Sequence, residues 1–304
     1  IWARQTDFPA ARNNWIVRQT VFNREPKGFQ GMAFNLRRPL FQDVRLRQAL
    51  SLLFNREEMN EKLMYNSYFL LNCYYPDLYP DNRNPYAPFY GFDPDRARAR
   101  LAEAGWKANA QGLLEKDGAP LRITILHHGE DLRHLSIFQQ DLRRVGIEAT
   151  IDLVSYATFT KRVQNHDFDL IWRNWGSVRL TDPEASWSSK QADEIATNNI
   201  TGLRDPEIDA LIESQKTEMD AGKRKEILRK IDNRLVQIVP YILMWQADRH
   251  RLLYWNRFGT PRTVLDKFNR EDCVGTYWWY DPGRARALDE AMRAASLKIH
   301  PHAM

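Results

Sequence analysis

LRITILHHGEDLRHLSIFQQDLRRVGIEATIDLVSYATFTKRVQNHDFDLIWRNWGS, residues 121–177, alternates short apolar runs with longer segments of helical spacing. Three apolar runs have the length and composition of buried strands. They are residues 121–127, 147–154 and 168–174. Between them, residues 131–146 and 156–165 predict helices, the first with apolar residues on one face. A β-α-β-α-β order predicts a mainly parallel sheet with helices on its faces, so the fold class is α/β.

The flanking segments extend this pattern on both sides. FQGMAFNL (29–36) and YILMWQA (241–247) predict further strands. Residues 72–91 are rich in Pro, Tyr and Asn without a period, which predicts an ordered loop. Several other segments show helical spacing or open on a capping residue. These predicted helices are 43–54, 55–65, 93–105, 205–219 and 221–239.

The bulk composition is that of a globular protein with one large or two medium domains, because the chain has 304 residues. The net charge of +5 is mildly basic. Arg and Lys are interleaved with Asp and Glu instead of gathering on one element, which argues against nucleic-acid binding. No apolar run reaches transmembrane length. Neither a Walker A motif nor a dinucleotide fingerprint occurs, so no cofactor is predicted.

The cysteines and the first residues say little about the compartment. Cys73 and Cys273 could form one disulfide in an oxidising environment, and the sequence leaves their pairing open. Their spacing is not that of a metal site. IWARQTDFPAARNNW (1–15) lacks the apolar core of a signal peptide, as expected of a mature or truncated product.

Five segments stand in an order that resembles the family 5 extracellular solute-binding proteins, the oligopeptide and dipeptide receptors of bacterial ABC importers. They are FNLRRPLFQDVRLRQALSLLFNRE, GFDPDRARARLAEAGW, LRRVGIEATIDLVSYATFTKRVQNHDFDL, PEIDALIESQ and IVPYILMWQ. The resemblance runs from about Phe29 to about Trp279. WARQTDFPAA and WSSKQADEIATNNITGLRDPEIDALIE further resemble the YejA-like subgroup, which is implicated in uptake of oligopeptides and peptide-nucleotide antibiotics.

This resemblance implies a two-lobed periplasmic-binding-protein-like fold around a ligand cleft. The chain matches only the later half of the family pattern, so lobe two and the C-terminal part of lobe one are expected, without the N-terminal part of lobe one. The expected boundaries are 1–35 for the end of lobe one and the outgoing hinge strand, 36–239 for lobe two, and 240–304 for the return hinge strand and the C-terminal part of lobe one. Ligand binding is expected to close the lobes at the two crossings.

The function implied by the resemblance is that of a binding protein, not an enzyme. Such a receptor takes oligopeptides or peptide-like solutes into its cleft and delivers them to a membrane permease. The implied location is the periplasm or the outer face of the cytoplasmic membrane. The implied partners are the peptide ligand, the ABC permease and the missing N-terminal part of lobe one.

FDLIWRNWGSVRLTD (168–182) matches the family segment that lines the cleft and contacts the peptide backbone. The predicted strand there delivers its carboxyl end into Trp175, Gly176 and Ser177, and ligands of open α/β sheets favour such ends. Trp175 offers a face for stacking and Gly176 allows close approach of a ligand backbone. The expected ligand-binding residues are Arg162, Trp172, Arg173, Asn174, Trp175, Gly176, Ser177, Asp182, Trp245 and Gln246.

The sequence offers alternative residues for binding the ammonium and carboxylate ends of a peptide. Val178 occupies the place where oligopeptide receptors often carry an Asp that binds the ligand's α-ammonium. Asp182 and Glu184 are alternatives, although each also fits a turn or helix cap. Arg162 and Arg173 lie near positions where the family offers a guanidinium to a ligand carboxylate. A solvated or structural arginine is the competing interpretation for both.

A metal-dependent hydrolase is the alternative function, and it rests on HHGEDLRH (127–134). Its histidines His127, His128 and His134 could supply metal ligands. Asp131, however, fits the N-cap of the following helix, and His134 is predicted on that helix's exposed side. Neither an HExxH motif nor a GxSxG elbow occurs in the chain. The sequence therefore favours a binding protein.

Overall fold

The computed structural model describes residue 2, residues 6–178 and residues 181–299, with side chains described up to residue 295. The chain divides into two compact units. Unit one comprises residues 1–26 with 247–304, and unit two comprises residues 27–246. None of the described helices is long and apolar enough to cross a membrane.

The elements follow one another in this order along the chain. The strands are β1 (Ile16–Val21), β2 (Phe29–Phe34), β3 (Phe69–Leu70), β4 (Lys107–Ala108), β5 (Leu114–Lys116), β6 (Ala119–Pro120), β7 (Arg122–His127), β8 (Glu148–Leu153), β9 (Leu170–Trp175), β10 (Tyr241–Leu243), β11 (Trp245–Gln246), β12 (His250–Trp255), β13 (Phe258–Gly259) and β14 (Trp279–Tyr280). The α-helices are α1 (Pro9–Arg12), α2 (Val44–Leu52), α3 (Arg56–Met64), α4 (Pro94–Glu103), α5 (Arg133–Arg144), α6 (Tyr156–Gln164), α7 (Glu184–Trp187), α8 (Pro206–Thr217), α9 (Ala221–Ile238) and α10 (Pro282–Ile299). Short 3-10 turns lie at Pro39–Phe41, Pro76–Leu78, Pro80–Asn82, Ser189–Gln191 and Glu271–Thr276.

The main sheet of unit two has the strand order β10-β2-β9-β7-β8. β7 pairs in parallel with both β8 and β9. β2 pairs antiparallel with β9 and with β10. The sheet is therefore mixed, and the prediction of a mainly parallel sheet was wrong for its β2 and β10 side. The helical crossovers that make strands parallel occur only within residues 121–177, whereas β2 and β10 come from segments outside those crossovers.

Most helices of unit two begin where a side chain accepts a hydrogen bond from the first turn. Asp43, Asn55, Asp93, Ser155, Asp205 and Asp220 are these caps, and they open α2, α3, α4, α6, α8 and α9. Each satisfies a backbone N–H that has no partner inside its helix. The helices predicted from these residues are confirmed to within a few residues.

Helix α5 begins differently from the prediction. Its N-cap is Leu132, which gives no side-chain cap. The Asp131 carboxylate instead accepts hydrogen bonds from the Arg133 guanidinium at 2.7 and 2.9 Å. The Arg133 backbone N–H also donates to it at 3.4 Å. The N-cap role predicted for Asp131 was wrong because α5 begins at Arg133, which puts Leu132 in the cap position.

The predicted strand 241–247 is divided between two sheets. β10 pairs with β2, whereas β11 pairs with β3 in a separate two-stranded sheet.

In unit one, β1 and β12 pair antiparallel over six residues each. Val21, Leu252 and Leu265 form the small buried core of that unit. Cys73 and Cys273 are free thiols, and burial raises the pKa of the Cys73 thiol.

The loop 72–91 is held to helix α9 by one buried carboxylate. Asp232 is fully buried and accepts hydrogen bonds from the Tyr74 backbone N–H at 2.7 Å and the Tyr79 hydroxyl at 2.8 Å. The Asn84 amide donates a third at 2.9 Å. Burial raises the pKa of Asp232, while these donors favour its charged form. An aromatic-rich loop without regular structure is thereby fixed to the core.

Asp232→Ala should destabilise the protein by about 3–5 kcal/mol, because it leaves several buried donors without an acceptor. Chemical denaturation would measure the loss, and limited proteolysis should show new cleavage within 72–91. Asp95→Ala is the control, since the Asp95 side chain is 95% exposed and its surface ion pair contributes less than about 1 kcal/mol. Equal stability of the two variants would contradict the anchoring role.

Candidate functional site

The candidate site lies where β7 and β9 end. Because these strands are parallel, with Leu126 paired to Ile171, their carboxyl ends meet at one edge of the sheet. β2 runs the other way, so its first residue, Phe29, lies opposite Trp175 at this same edge. Ligands of open α/β sheets bind beyond such carboxyl ends. The fold thus places the stretch singled out by the sequence at the expected edge.

Trp175 is half-buried, and its indole is held by a buried tyrosine. The Trp175 Nε1–H donates to the Tyr241 hydroxyl at 3.0 Å. The Tyr241 ring is enclosed by three further aromatic rings, with centroid distances of 5.2 to 6.1 Å. These belong to Phe29, Tyr74 and Trp187. The aromatic group fixes the position of Tyr241, and Tyr241 in turn orients the indole.

Arg173 lies in a group that we name the Arg173 cluster: Arg173, Phe159, His128 and Tyr156. The Arg173 guanidinium lies 5.5 Å from the centroid of the Phe159 ring. The same ring packs 4.5 Å from His128, which lies 5.1 Å from Tyr156. Burial lowers the pKa of Arg173, and its Nε is buried without a hydrogen-bond partner. No carboxylate pairs with Arg173 among the residues that the structure describes.

Arg162, the second candidate arginine, differs from Arg173 because it is paired with carboxylates of the protein. Its Nη1 donates to Asp152 at 2.5 Å, and its Nε donates to Asp167 at 3.0 Å. The hydrogen bond to Asp152 is the largest cause that raises the pKa of Arg162. Two carboxylates of the protein therefore already neutralise this guanidinium.

The segment after β9 is open to solvent. Asn174 and Gly176 are exposed, and a side chain added at Gly176 would meet nothing within 4 Å. The Ser177 and Thr181 hydroxyls are 3.2 Å apart. Val178 is 63% exposed. A ligand backbone could therefore approach this segment closely.

Asp182 lies in a turn that leads into α7. Its carboxylate accepts a hydrogen bond from the Glu184 backbone N–H at 2.9 Å, and the residue is exposed. The Glu184 carboxylate itself pairs with Lys216 at 2.6 Å. Trp187, which ends α7, is buried and donates to the Tyr75 hydroxyl at 2.9 Å. The stretch from Thr181 onward leads from the open segment back into the core.

The remaining predicted residues pack against the core. Trp172 is half-buried and pairs with Met32 across β2. Trp245 is only 5% exposed, with its ring 6.0 Å from Phe54. Gln246 is half-buried and pairs with Phe69. The structure does not bring β11 into the sheet that carries β9, and a ligand role for Trp245 and Gln246 stays a prediction.

The three histidines of 127–134 lie close together without forming a metal site. The His127 ring centroid is 5.9 Å from that of His128 and 6.4 Å from that of His134. Among the described residues, no group of three or more His, Cys, Asp or Glu could hold a metal ion. His134 was predicted to be exposed, which was wrong. It is half-buried beside Trp245, and burial lowers its pKa to about 4.

Sequence reasoning missed the residues that surround the side chains of Arg173 and Trp175. Tyr241 was predicted only as part of a strand, although it orients Trp175. Tyr156 and Phe159 belong to α6, the helix that directly follows β8. Because β8 is a further parallel strand, the rule on carboxyl ends could have indicated both of them.

Comparison with known structures shows which fold the chain has. The oligopeptide-binding protein AppA from Bacillus subtilis, solved in complex with a nonapeptide, matches with a TM-score of 0.75 at 22% identity. The match covers 89% of this chain and 53% of AppA. The chain therefore has the α/β fold of a periplasmic binding protein, over about half of such a protein's length.

Sequence comparison then gives the family. The model of the bacterial extracellular solute-binding proteins, family 5 (Middle), matches residues 4–196. Because this match covers more than half of the chain, the chain belongs to that family, and the prediction from the five segments is confirmed.

The relatives include the uncharacterized protein YejA of Escherichia coli, which is 27% identical over 330 residues, covering 96% of this chain and 53% of YejA. The probable peptide-binding protein YejA of Agrobacterium fabrum is 24% identical over 304 residues, covering 86% and 49%. The predicted likeness to YejA is thus confirmed, and the chain spans about half the length of the curated relatives it matches.

Protonation of His134 should destabilise the protein at acidic pH. Its pKa is about 4 in the folded chain, compared with about 6.5 in the unfolded chain. The unfolded chain therefore binds the proton first, and stability falls as the pH drops from about 6.5 to about 4. The upper limit of this contribution is about 3 kcal/mol, because the half-buried ring is partly screened by solvent.

His134→Phe tests this prediction, because it keeps an aromatic ring beside Trp245 and removes the titrating group. Urea denaturation of both proteins should show a smaller loss of stability between pH 7 and pH 4.5 for the variant. Carboxylates remote from residue 134 titrate equally in both proteins and cancel from the comparison, whereas Asp131 interacts with His134 and is part of the measured difference. An unchanged pH dependence would show that His134 is not the group responsible.

Proposed function

We propose that the protein is the substrate-binding component of an ABC importer, which binds oligopeptides or peptide-like solutes and performs no chemistry itself. Family membership supports a solute-binding role. The peptide ligand is supported by relatives named as peptide-binding, including AppA of Bacillus subtilis. We further propose a location in the periplasm or on the outer face of the cytoplasmic membrane. The proposed partners are a membrane permease and the part of lobe one that relatives carry beyond this chain.

One observation carries the proposal: the Arg173 guanidinium, which has no carboxylate partner among the described residues, and the oriented Trp175 indole lie together at the carboxyl edge of the sheet. Arg173 and Trp175 are two residues apart on β9, so their side chains face the same side of the sheet. An extended peptide offers main-chain groups, a terminal carboxylate and varied side chains. Arg173 suits the carboxylate and Trp175 offers a large apolar face. Beyond them, Gly176 leaves room for the peptide backbone.

The opposite end of the ligand has a less defined anchor. Val178 cannot bind an ammonium group, since its side chain is apolar. Of the two acidic alternatives, Glu184 already pairs with Lys216, whereas Asp182 accepts a single backbone N–H. We therefore propose Asp182 as the better candidate for a free amine. The lobe boundaries at 35 and 239 and the hinge motion at the two crossings remain part of the same proposal.

Trp175→Ala should weaken ligand affinity by about 1–3 kcal/mol, because the side chain would be a desolvated anchor. Binding of a mixed oligopeptide library, followed by calorimetry on the best peptide, would measure this in the full-length gene product. Trp187→Ala is the matched control: this buried tryptophan should reduce folding stability by about 3–5 kcal/mol instead. Unchanged affinity combined with lost stability in Trp175→Ala would reject the contact.

Arg173→Met and Arg162→Met form a second matched pair. Arg173→Met should weaken binding of peptides with a free carboxylate by about 1.5–3 kcal/mol, with little effect on C-terminally amidated peptides. Arg162→Met should leave affinity unchanged and lower stability, since Asp152 and Asp167 lose their partner. If free and amidated peptides lost affinity equally in Arg173→Met, the contact with a ligand carboxylate would be excluded.

A further inference from the structure

A small polar cavity lies inside unit two, next to the tyrosine that orients Trp175. Its volume is about 20 Å³, which is sufficient for a single water-sized species. The polar residues of its wall are Ser51, Arg56, Asn72, Tyr74, Tyr90 and Tyr241. Among the described residues, no Asp or Glu lines it. The wall therefore combines a positive charge with hydroxyl groups.

Arg56 brings an unusual charge to this wall. The residue is 3% exposed, and it donates to the carbonyl oxygens of Leu71 and Leu243 at 2.6 and 2.7 Å. A third bond to the Tyr90 carbonyl oxygen is 3.2 Å long. The Arg56 Nε is buried and has no hydrogen-bond partner. One N–H of a buried guanidinium is thus left without an acceptor, which is costly.

No ion pair of the described residues neutralises Arg56. Burial lowers its pKa to about 10, so it stays charged at neutral pH. The carboxylate of the adjacent residue Glu57 opposes this lowering of the Arg56 pKa but forms no ion pair with Arg56. Asp232 is already bound to the loop residues described above. Arg47, a second buried guanidinium near Tyr74 and Tyr90, adds another positive charge. The Arg56 guanidinium also lies 4.5 Å from the centroid of the Phe89 ring. Neither this ring nor the carbonyl oxygens carry a full negative charge, so a compensating anion would be favoured.

The hydroxyl groups of the wall also favour an acceptor. The Tyr241 oxygen accepts from Trp175, which leaves its O–H free to donate to another group. Burial raises the pKa of Tyr74 and of Tyr241, so both keep their protons. The Ser51 hydroxyl already donates its one proton to the Arg47 carbonyl oxygen at 2.9 Å, so the tyrosine hydroxyls are the available donors. A water molecule would need acceptors for its own hydrogens, whereas a monatomic anion only accepts.

We propose that this cavity binds a single monatomic anion, chloride in ordinary salt solution, through the Arg56 Nε–H and the hydroxyl groups of the tyrosines in its wall. The anion neutralises the buried guanidinium and ties α3 to β10. This inference does not rest on the peptide-binding proposal, because its site is internal to unit two. It adds a ligand that stabilises the folded chain.

Thermal unfolding in sodium chloride and in sodium gluconate at equal ionic strength tests the proposal on the chain as it stands. Chloride should raise Tm by about 2–4 °C relative to gluconate, and the increase should saturate as the chloride concentration rises. Arg56→Met should abolish this difference. Arg133→Met is the control and should retain it, because the Arg133 guanidinium is exposed and paired with Asp131. Equal Tm values of the original chain in the two salts would overturn the proposal.

A second measurement needs no variant and covers the case in which Arg56→Met does not fold. Crystals of the unaltered chain grown in sodium bromide should show an anomalous peak in the cavity beside the Arg56 Nε. A water molecule there, or an empty cavity, would overturn the proposal even if chloride raised Tm by a route elsewhere in the chain.

Discussion

The backbone of β2, with the residue before it, packs closely against β9 and β10. The arrangement of these strands and the position of the candidate site both depend on this close approach. A Cβ added at Gly28 would lie 1.7 Å from the Trp175 carbonyl oxygen, and one at Gly31 would lie 2.3 Å from that of Ile242. Neither distance is sterically possible, so both positions require glycine. A side chain at Gly28 would displace the end of β9, where Trp175 begins the open segment. The edge that carries the candidate site is therefore set by a residue that has no side chain.

Buried polar groups fix the irregular parts of unit two more than surface ion pairs do. Arg47 donates to the carbonyl oxygens of Ile238 and Val239, which lie at the end of α9 and have no partner inside the helix. Arg37 donates to those of Ala192 and Ile200 within a long connection. Asp232 performs the complementary task by accepting from the loop 72–91. Such bonds satisfy backbone groups that regular structure would otherwise pair, and they explain how long loops stay ordered behind the site.

The sequence predicted those parts of the structure that depend on neighbouring residues. Asp93 and Asp205 open helices because a capping carboxylate acts within its own turn. Asp131 has the same local pattern, but α5 begins two residues later, at Arg133, so Leu132 takes the cap position. The direction of β2 could not be predicted, because hydrophobic periodicity does not record whether a strand runs parallel or antiparallel to its neighbour. The residues of β9 were found because they are contiguous, whereas Tyr241 joins them only through the fold.

The contrast between the two candidate arginines shows why the candidate site needed the structure. Arg162 and Arg173 carry the same group in the same stretch, and their neighbours in sequence give no reason to prefer either. The fold surrounds Arg162 with Asp152 and Asp167, and it places Arg173 over an aromatic ring instead. Pairing raises the pKa of the first and burial lowers that of the second. A ligand carboxylate would have to displace two carboxylates at Arg162, whereas at Arg173 it would supply the acceptor that the buried Nε lacks. A ligand carboxylate at this end of the sheet would therefore be attracted to Arg173 more than to Arg162, because Arg162 is already neutralised within the protein.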